Sequence, residues 1–92
     1  MVNQQENDDK ITPGELIEEL YVNREIEFDV DGNNYFAHPL TDRPEPCRYA
    51  IWSEPLKKRI FEGSIDELFL FQFPEGVTLK ENFEAFSFNY IL

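Results

Sequence analysis

Two groups of side chains in this chain have the types and spacing to do chemistry. The first is a row of carboxylates. From Arg24 the chain reads Arg-Glu-Ile-Glu-Phe-Asp-Val-Asp-Gly, so Glu25, Glu27, Asp29 and Asp31 alternate with Ile26, Phe28 and Val30. The second is His38 with Cys47, the single His and single Cys of the 92 residues. Carboxylates in a line can capture a cationic surface electrostatically. A thiol beside an imidazole can act as a nucleophile.

A period of two is the mark of a half-buried β-strand. Residues two apart on a strand project to one side about 6.6 Å apart, so the four acids form a line about 20 Å long. Neighbouring charges at that spacing repel by roughly 0.6 kcal/mol in water before salt screens them. Such a line approximates a nucleic-acid backbone, whose phosphates rise about 3.4 Å per strand step. It could therefore occupy a basic groove on another protein, with Glu18 on a preceding helix as an extension. The plainer reading is an ordinary solvated strand face, neutralised by Arg48, Lys57, Lys58 or Arg59 from a neighbouring element. Glu15, Glu18 and Glu19 equally suit the positive end of a helix dipole.

The other chemistries fail on spacing. Asp29-Val-Asp31-Gly-Asn33 begins like a calcium loop, but its sixth position is Asn34 instead of Gly and its twelfth is Leu40 instead of Glu. No metal site and no cofactor is expected. A Cys–His pair needs hydrogen-bond reach and a third orienting group, and the chain has no nucleophile elbow or Gly-rich phosphate loop. We expect no enzyme. Cys47 reads as a small apolar filler and His38 as a half-exposed residue at a strand end, beside Glu25. One Cys excludes an internal disulfide and a zinc finger.

Charge sharpens the partner class. Nineteen acids against eight bases give a net charge of −11, which argues against direct contact with nucleic acid or an anionic membrane. Residues 1–31 hold ten acids and two bases, whereas residues 43–59 hold five bases (Arg43, Arg48, Lys57, Lys58, Arg59) and two acids. The chain is acidic with one basic island. No apolar run reaches the ~18 residues of a membrane span. No basic-flanked apolar stretch follows Met1, so a cytoplasmic protein without a signal peptide is expected.

The elements that must position these groups are readable in outline. Residues 1–10 are polar and aperiodic and read as a disordered tail, leaving 11–92 as a single domain. Thr12-Pro13-Gly14-Glu15 carries a helix N-cap, a Pro at the first helical position and a capping box. Leu16, Ile17, Leu20 and Tyr21 form the apolar stripe, to about Val22, and Asn23 is the stop. The acidic strand runs from about Arg24 to Val30. Asp31-Gly32 is a hairpin turn, and Tyr35–His38 returns, ended by Pro39. A two-residue loop, the favoured reading, pairs Phe28 with Tyr35 and Glu25 with His38; a three-residue loop shifts this by one and places Phe36 on the core face.

Residues 39–47 hold Pro39, Pro44 and Pro46 and read as a loop. Arg48–Trp52 is a third strand and Lys58–Phe61 a fourth. Ser64-Ile-Asp-Glu67 is a second capping box, opening a short helix through Phe69; the run to Phe73 fits helix and strand alike. Thr78-Leu-Lys-Glu81 is a third box, leading a short helix to about Phe83. The end, Glu84–Leu92, alternates aromatic with small or polar residues as a last strand. The expected architecture is α+β: a mostly antiparallel sheet of four to five strands, with the N-terminal helix and one or two short helices packed on it.

Arg24-Glu-Ile-Glu-Phe28 with Gly32 and Tyr35, Ile65-Asp-Glu-Leu68, and Gly76-Val-Thr-Leu-Lys-Glu81 with Phe88-Asn-Tyr-Ile91 together form a pattern. Over about residues 12–92 this pattern resembles small proteins of Gram-positive bacteria and their prophages. The resemblance implies a phage or mobile-element origin and brings no activity, cofactor or site. The leading expectation is thus a non-enzymatic acidic protein that binds a basic protein surface through Glu25, Glu27, Asp29, Asp31 and Glu18. The alternative is a structural or assembly protein whose surplus aromatics (Trp52, Phe69, Phe71, Phe73, Phe83, Phe86, Phe88, Tyr90) form a homodimer surface.

Overall fold

The computed structural model describes residues 11–40 and 48–91. The expected tail at 1–10, most of the proline loop and Cys47 lie outside these residues.

The first helix, α1 (Pro13–Tyr21), starts as its sequence dictates. Thr12 Oγ1 accepts from the Glu15 N–H, and the Glu15 carboxylate accepts from the Thr12 N–H. It ends at Asn23, whose φ of 63° is left-handed. There the Asn23 N–H reaches Leu20 O and the Arg24 N–H reaches Glu19 O, the paired bonds of a Schellman motif. Leu16 and Leu20 are buried, but Tyr21 is 61% exposed. The apolar stripe is therefore narrower than its sequence suggested, because the chain turns away one residue after Tyr21.

The hairpin of β1 (Ile26–Val30) and β2 (Asn33–Pro39) follows. Asp31 and Gly32 both have positive φ, 53° and 83°, the backbone of a two-residue type I′ turn. That turn sets the register, and Phe28 pairs with Tyr35 as expected. The acidic strand is shorter than its pattern, since Arg24 and Glu25 precede the paired residues. The return strand is longer and takes in Asn33 and Pro39. Then come β3 (Arg48–Ser53), β4 (Lys58–Ser64), α2 (Ile65–Leu70), a 3-10 turn (Phe83–Ala85) and β5 (Phe86–Ile91). The box at Ser64 forms, with Ser64 Oγ and the Glu67 carboxylate exchanging hydrogen bonds with each other's backbone. The ambiguous run after it resolves as helix to Leu70 and extended chain beyond.

The helix expected after Thr78 does not form. Thr78 Oγ1 does accept from the Glu81 N–H. Asn82 Oδ1, however, takes the Thr78 N–H, and the Asn82 N–H bonds Thr78 O, closing a turn. Leu79 is the buried anchor there, and one apolar side chain in a single turn does not carry a helix onward.

All five strands form one antiparallel sheet in the order β4-β3-β2-β1-β5. One face carries the core: Ile26, Phe28 and Val30 from β1, Tyr35 and Ala37 from β2, Tyr49 and Ile51 from β3. Leu16, Leu20, Ile65, Leu68, Phe73 and Leu79 close over them. Phe28 sits at the centre, with Tyr35, Phe73, Phe86 and Phe88 rings at 5.7–5.8 Å. The Tyr49 hydroxyl lies 3.0 Å from Leu20 O and 2.8 Å from Arg24 O, tying the end of α1 to the sheet.

A second polar tie lies at the hairpin end. Glu75 Oε2 accepts from Asn33 Nδ2 at 2.7 Å and from the Tyr35 hydroxyl at 2.8 Å, pinning the segment after α2 against β2. Burial, then the hydrogen bond to Glu75 and its charge, push the Tyr35 phenol well above its ordinary value.

Candidate protein-binding face

Alternation along β1 decides where the acids go. With Ile26, Phe28 and Val30 buried in the core, Glu27 and Asp29 project half-buried from the opposite face of the sheet. Glu25 precedes them on the same side, close enough to Tyr90 for its charge to act on that hydroxyl. Asp31 is exposed in the hairpin turn, just past the end of β1. Glu18 is exposed on α1, on the helix side of the sheet. It does not join the acidic face, because Leu16 and Leu20 place α1 over the core.

The strand order settles the neutralisation question. The neighbours of β1 are β2 and β5; neither Asn33–Pro39 nor Phe86–Ile91 contains a Lys or Arg. The described residues of the basic island, Arg48, Lys57, Lys58 and Arg59, sit on β3, β4 and their connection, with β2 intervening. Two of them pair locally: Lys57 with Glu54, and Arg59, whose Nη1 lies 3.4 Å from Glu62 Oε1. The expected local pairing of the basic triplet with the acidic strand is thus overturned by topology. Among the described residues, the carboxylates of Glu25, Glu27, Asp29 and Asp31 have no ion-pair partner.

Neutral groups hold the acids in place instead. Asn34, opposite Asp29 on β2, donates Nδ2 hydrogens to Glu27 Oε2 and Asp29 Oδ1, both at 2.8 Å. One amide therefore spends both its donors bridging two carboxylates. On the other flank Tyr90 stands opposite Glu27. The hydrogen bond to Glu27, then burial and the charges of Glu27 and Glu25, hold the Tyr90 phenol above its ordinary value.

Reading across the sheet, Tyr90, Glu27, Phe36, Trp52 and Arg59 form one row of cross-strand neighbours. The row places an aromatic ring on either side of Glu27, and Trp52 (38%) and Tyr90 (46%) are exposed. Guanidinium groups bind both carboxylates and aromatic faces, so this row suits arginine side chains of a partner. Period two along Phe86, Phe88 and Tyr90 would put Tyr90 on the core side; the register shift after Phe88 brings it opposite Glu27, and the strand order brings Phe36 and Trp52 into the same row. His38 stacks on Phe36, with ring centroids 6.2 Å apart. Among the described residues no group of three or more His, Cys, Asp or Glu side chains could hold a metal ion. Among the same residues no helix is long and apolar enough to cross a membrane.

Comparisons with family models, with curated proteins and with solved structures find no match to this chain.

Proposed function

We propose that this chain is a non-enzymatic binding protein that occupies a basic surface of a partner protein, such as a nucleic-acid-binding groove. The contact is made by Glu25, Glu27, Asp29 and Asp31. A phage or mobile-element inhibitor of a nucleic-acid-binding protein is the role such a surface suits. The observation that supports it is the strand order, which leaves the acids of β1 between two strands without a cation. An unneutralised carboxylate line keeps its field, and that field speeds encounter with a cationic patch and makes binding salt-dependent.

The test replaces Glu25 and Glu27 by Gln and Asp29 and Asp31 by Asn. Partners are captured from host extract at low and high salt, and each captured protein is challenged with duplex DNA. Wild type should capture a basic protein that high salt and DNA both release, and the variant should lose it while keeping its circular dichroism. Equal capture by both, insensitive to salt, removes the reading.

A further inference from the structure

The two edges of the sheet are unlike. On the β4 edge Lys58, Arg59 and Glu62 stand along the strand, the kind of charge that discourages pairing with another chain. The β5 edge is Phe86-Ser-Phe-Asn-Tyr-Ile91, with no charge and no proline. Among the described residues its one neighbour in the sheet is β1, so no described strand lies beside the outer row of β5 backbone donors and acceptors. A groove of about 670 Å³ runs along this edge, between the start of α1 (Ile11, Pro13) and Phe83, Phe86 and Phe88. Phe86 and Phe88 put its apolar part on the core side of the sheet, and Glu84, Ser87 and Asn89 line the rest. On the other side, β5 presents the small Ser87 directly opposite Asp29, while Glu27 lies two pairs further along β1, opposite Tyr90.

We infer that β5 is a strand-addition edge for an extended partner segment that alternates apolar and basic side chains. The inference rests on the acidic-face reading and adds the form of the ligand. A strand laid against Phe86–Phe88 gains main-chain hydrogen bonds, and its side chains alternate between the two sides of the sheet. Those on the core side enter the groove beside Phe83 and Phe88. Those on the open side cross Ser87, which is too short to block them, and reach Asp29, with Glu27 beyond it beside Tyr90. Neighbouring strands lie about 4.8 Å apart, so β1 is two strand spacings from the added chain, within reach of an arginine. Glu84 at the groove rim adds a further negative charge. The register shift between Phe88 and Tyr90 ends the regular edge, so the segment is short.

The probes are three synthetic peptides: one alternating valine and arginine, a block isomer of the same composition, and the alternating peptide N-methylated at every second amide. Binding to the full chain is titrated at low and high salt, with amide exchange read at residues 86–89. The alternating peptide should bind at least tenfold more tightly than the other two, protect those amides, and weaken on the joint change Glu27→Gln and Asp29→Asn. Equal, salt-sensitive binding of the block isomer overturns the added strand and leaves the acidic face standing. No binding of any peptide removes both. Sedimentation showing a dimer whose β5 amides are already protected gives the edge to a second copy and overturns the inference. Insensitivity of the alternating peptide to the Glu27 and Asp29 changes also overturns it, since the charge match then plays no part.

Discussion

Asn34 is the residue on which the acidic face turns. Its amide hydrogens reach Glu27 and Asp29 at 2.8 Å each, and a hydrogen bond to a charged acceptor is worth about 1.5–3 kcal/mol. Asn34→Asp keeps the shape, removes both donors and adds a third carboxylate. We expect it to cost about 2–4 kcal/mol at low salt, part of it recovered as salt rises; urea denaturation at two ionic strengths checks this. A loss that salt leaves untouched would show that packing, not charge, governs the site. Tyr35 offers a pH readout. Its folded phenol titrates above the ordinary value, so the native state holds the proton more tightly than the unfolded chain. That stability is complete below about pH 10 and drains away as pH rises beyond it. Tyr35→Phe should be less stable at neutral pH, because Glu75 loses a donor, and should show a shallower decline above about pH 10. Denaturation midpoints of the two proteins across the alkaline range decide it; parallel declines refute the assignment.

Individual elements were legible where a local rule and the tertiary contacts agree. Asp31-Gly32 favours a two-residue turn over a three-residue one, and the positive φ at both residues selects the register that pairs Phe28 with Tyr35. The boxes at Thr12 and Ser64 precede helices because two buried side chains in each helix, Leu16 with Leu20 and Ile65 with Leu68, reward propagation. Thr78 begins the same pattern, yet Asn82 competes for its N–H and the helix stops at a turn. What could not be read was which strand lies beside which. The period shows that Glu27 and Asp29 share a face, but only long-range pairing shows that β2 and β5 flank them and that Lys57 and Arg59 are remote. Two glycines test the local packing. A Cβ at Gly63 would lie 2.5 Å from Glu67 Oε1 and 2.9 Å from Phe61 Cζ. That oxygen holds the Ser64 N–H, so Gly63→Ala should cost about 1–3 kcal/mol through overpacking and a broken cap. Gly14, in α1, has nothing within 4 Å of such a Cβ, and Gly14→Ala should gain up to about 1 kcal/mol. Chemical denaturation of the pair is the check; equal effects would mean that the packing at Gly63 yields freely.

At the scale of the molecule, the sheet segregates charge. Acids line β1 and its hairpin, and Arg48, Lys57, Lys58 and Arg59 sit on β3, β4 and their connection, so among the described residues these cations do not neutralise the acids. A chain of net charge −11 repels itself in the compact state more than in the expanded one. Three ion pairs among the described residues, Arg24 with Glu19, Lys57 with Glu54 and Arg59 with Glu62, join partners close in sequence on the surface. Such pairs contribute at most about 1 kcal/mol each and fade with salt. Two effects therefore oppose one another as salt rises: screening of the net repulsion, which stabilises, and screening of the pairs, which destabilises. The repulsion should win, because the acidic line is unpaired while each ion pair is local and exposed. Raising salt from about 10 mM to about 150 mM shortens the screening length from about 30 Å to about 8 Å, shorter than the acidic line. The melting temperature should rise over that range. It should rise less in the variant with Gln at 25 and 27 and Asn at 29 and 31, which carries four fewer negative charges. A melting temperature that falls with salt in wild type, or that rises equally in both proteins, would mean that the β1 carboxylates are not the centre of the molecule's repulsion. The face built from them would then lose its electrostatic basis for capturing a basic partner.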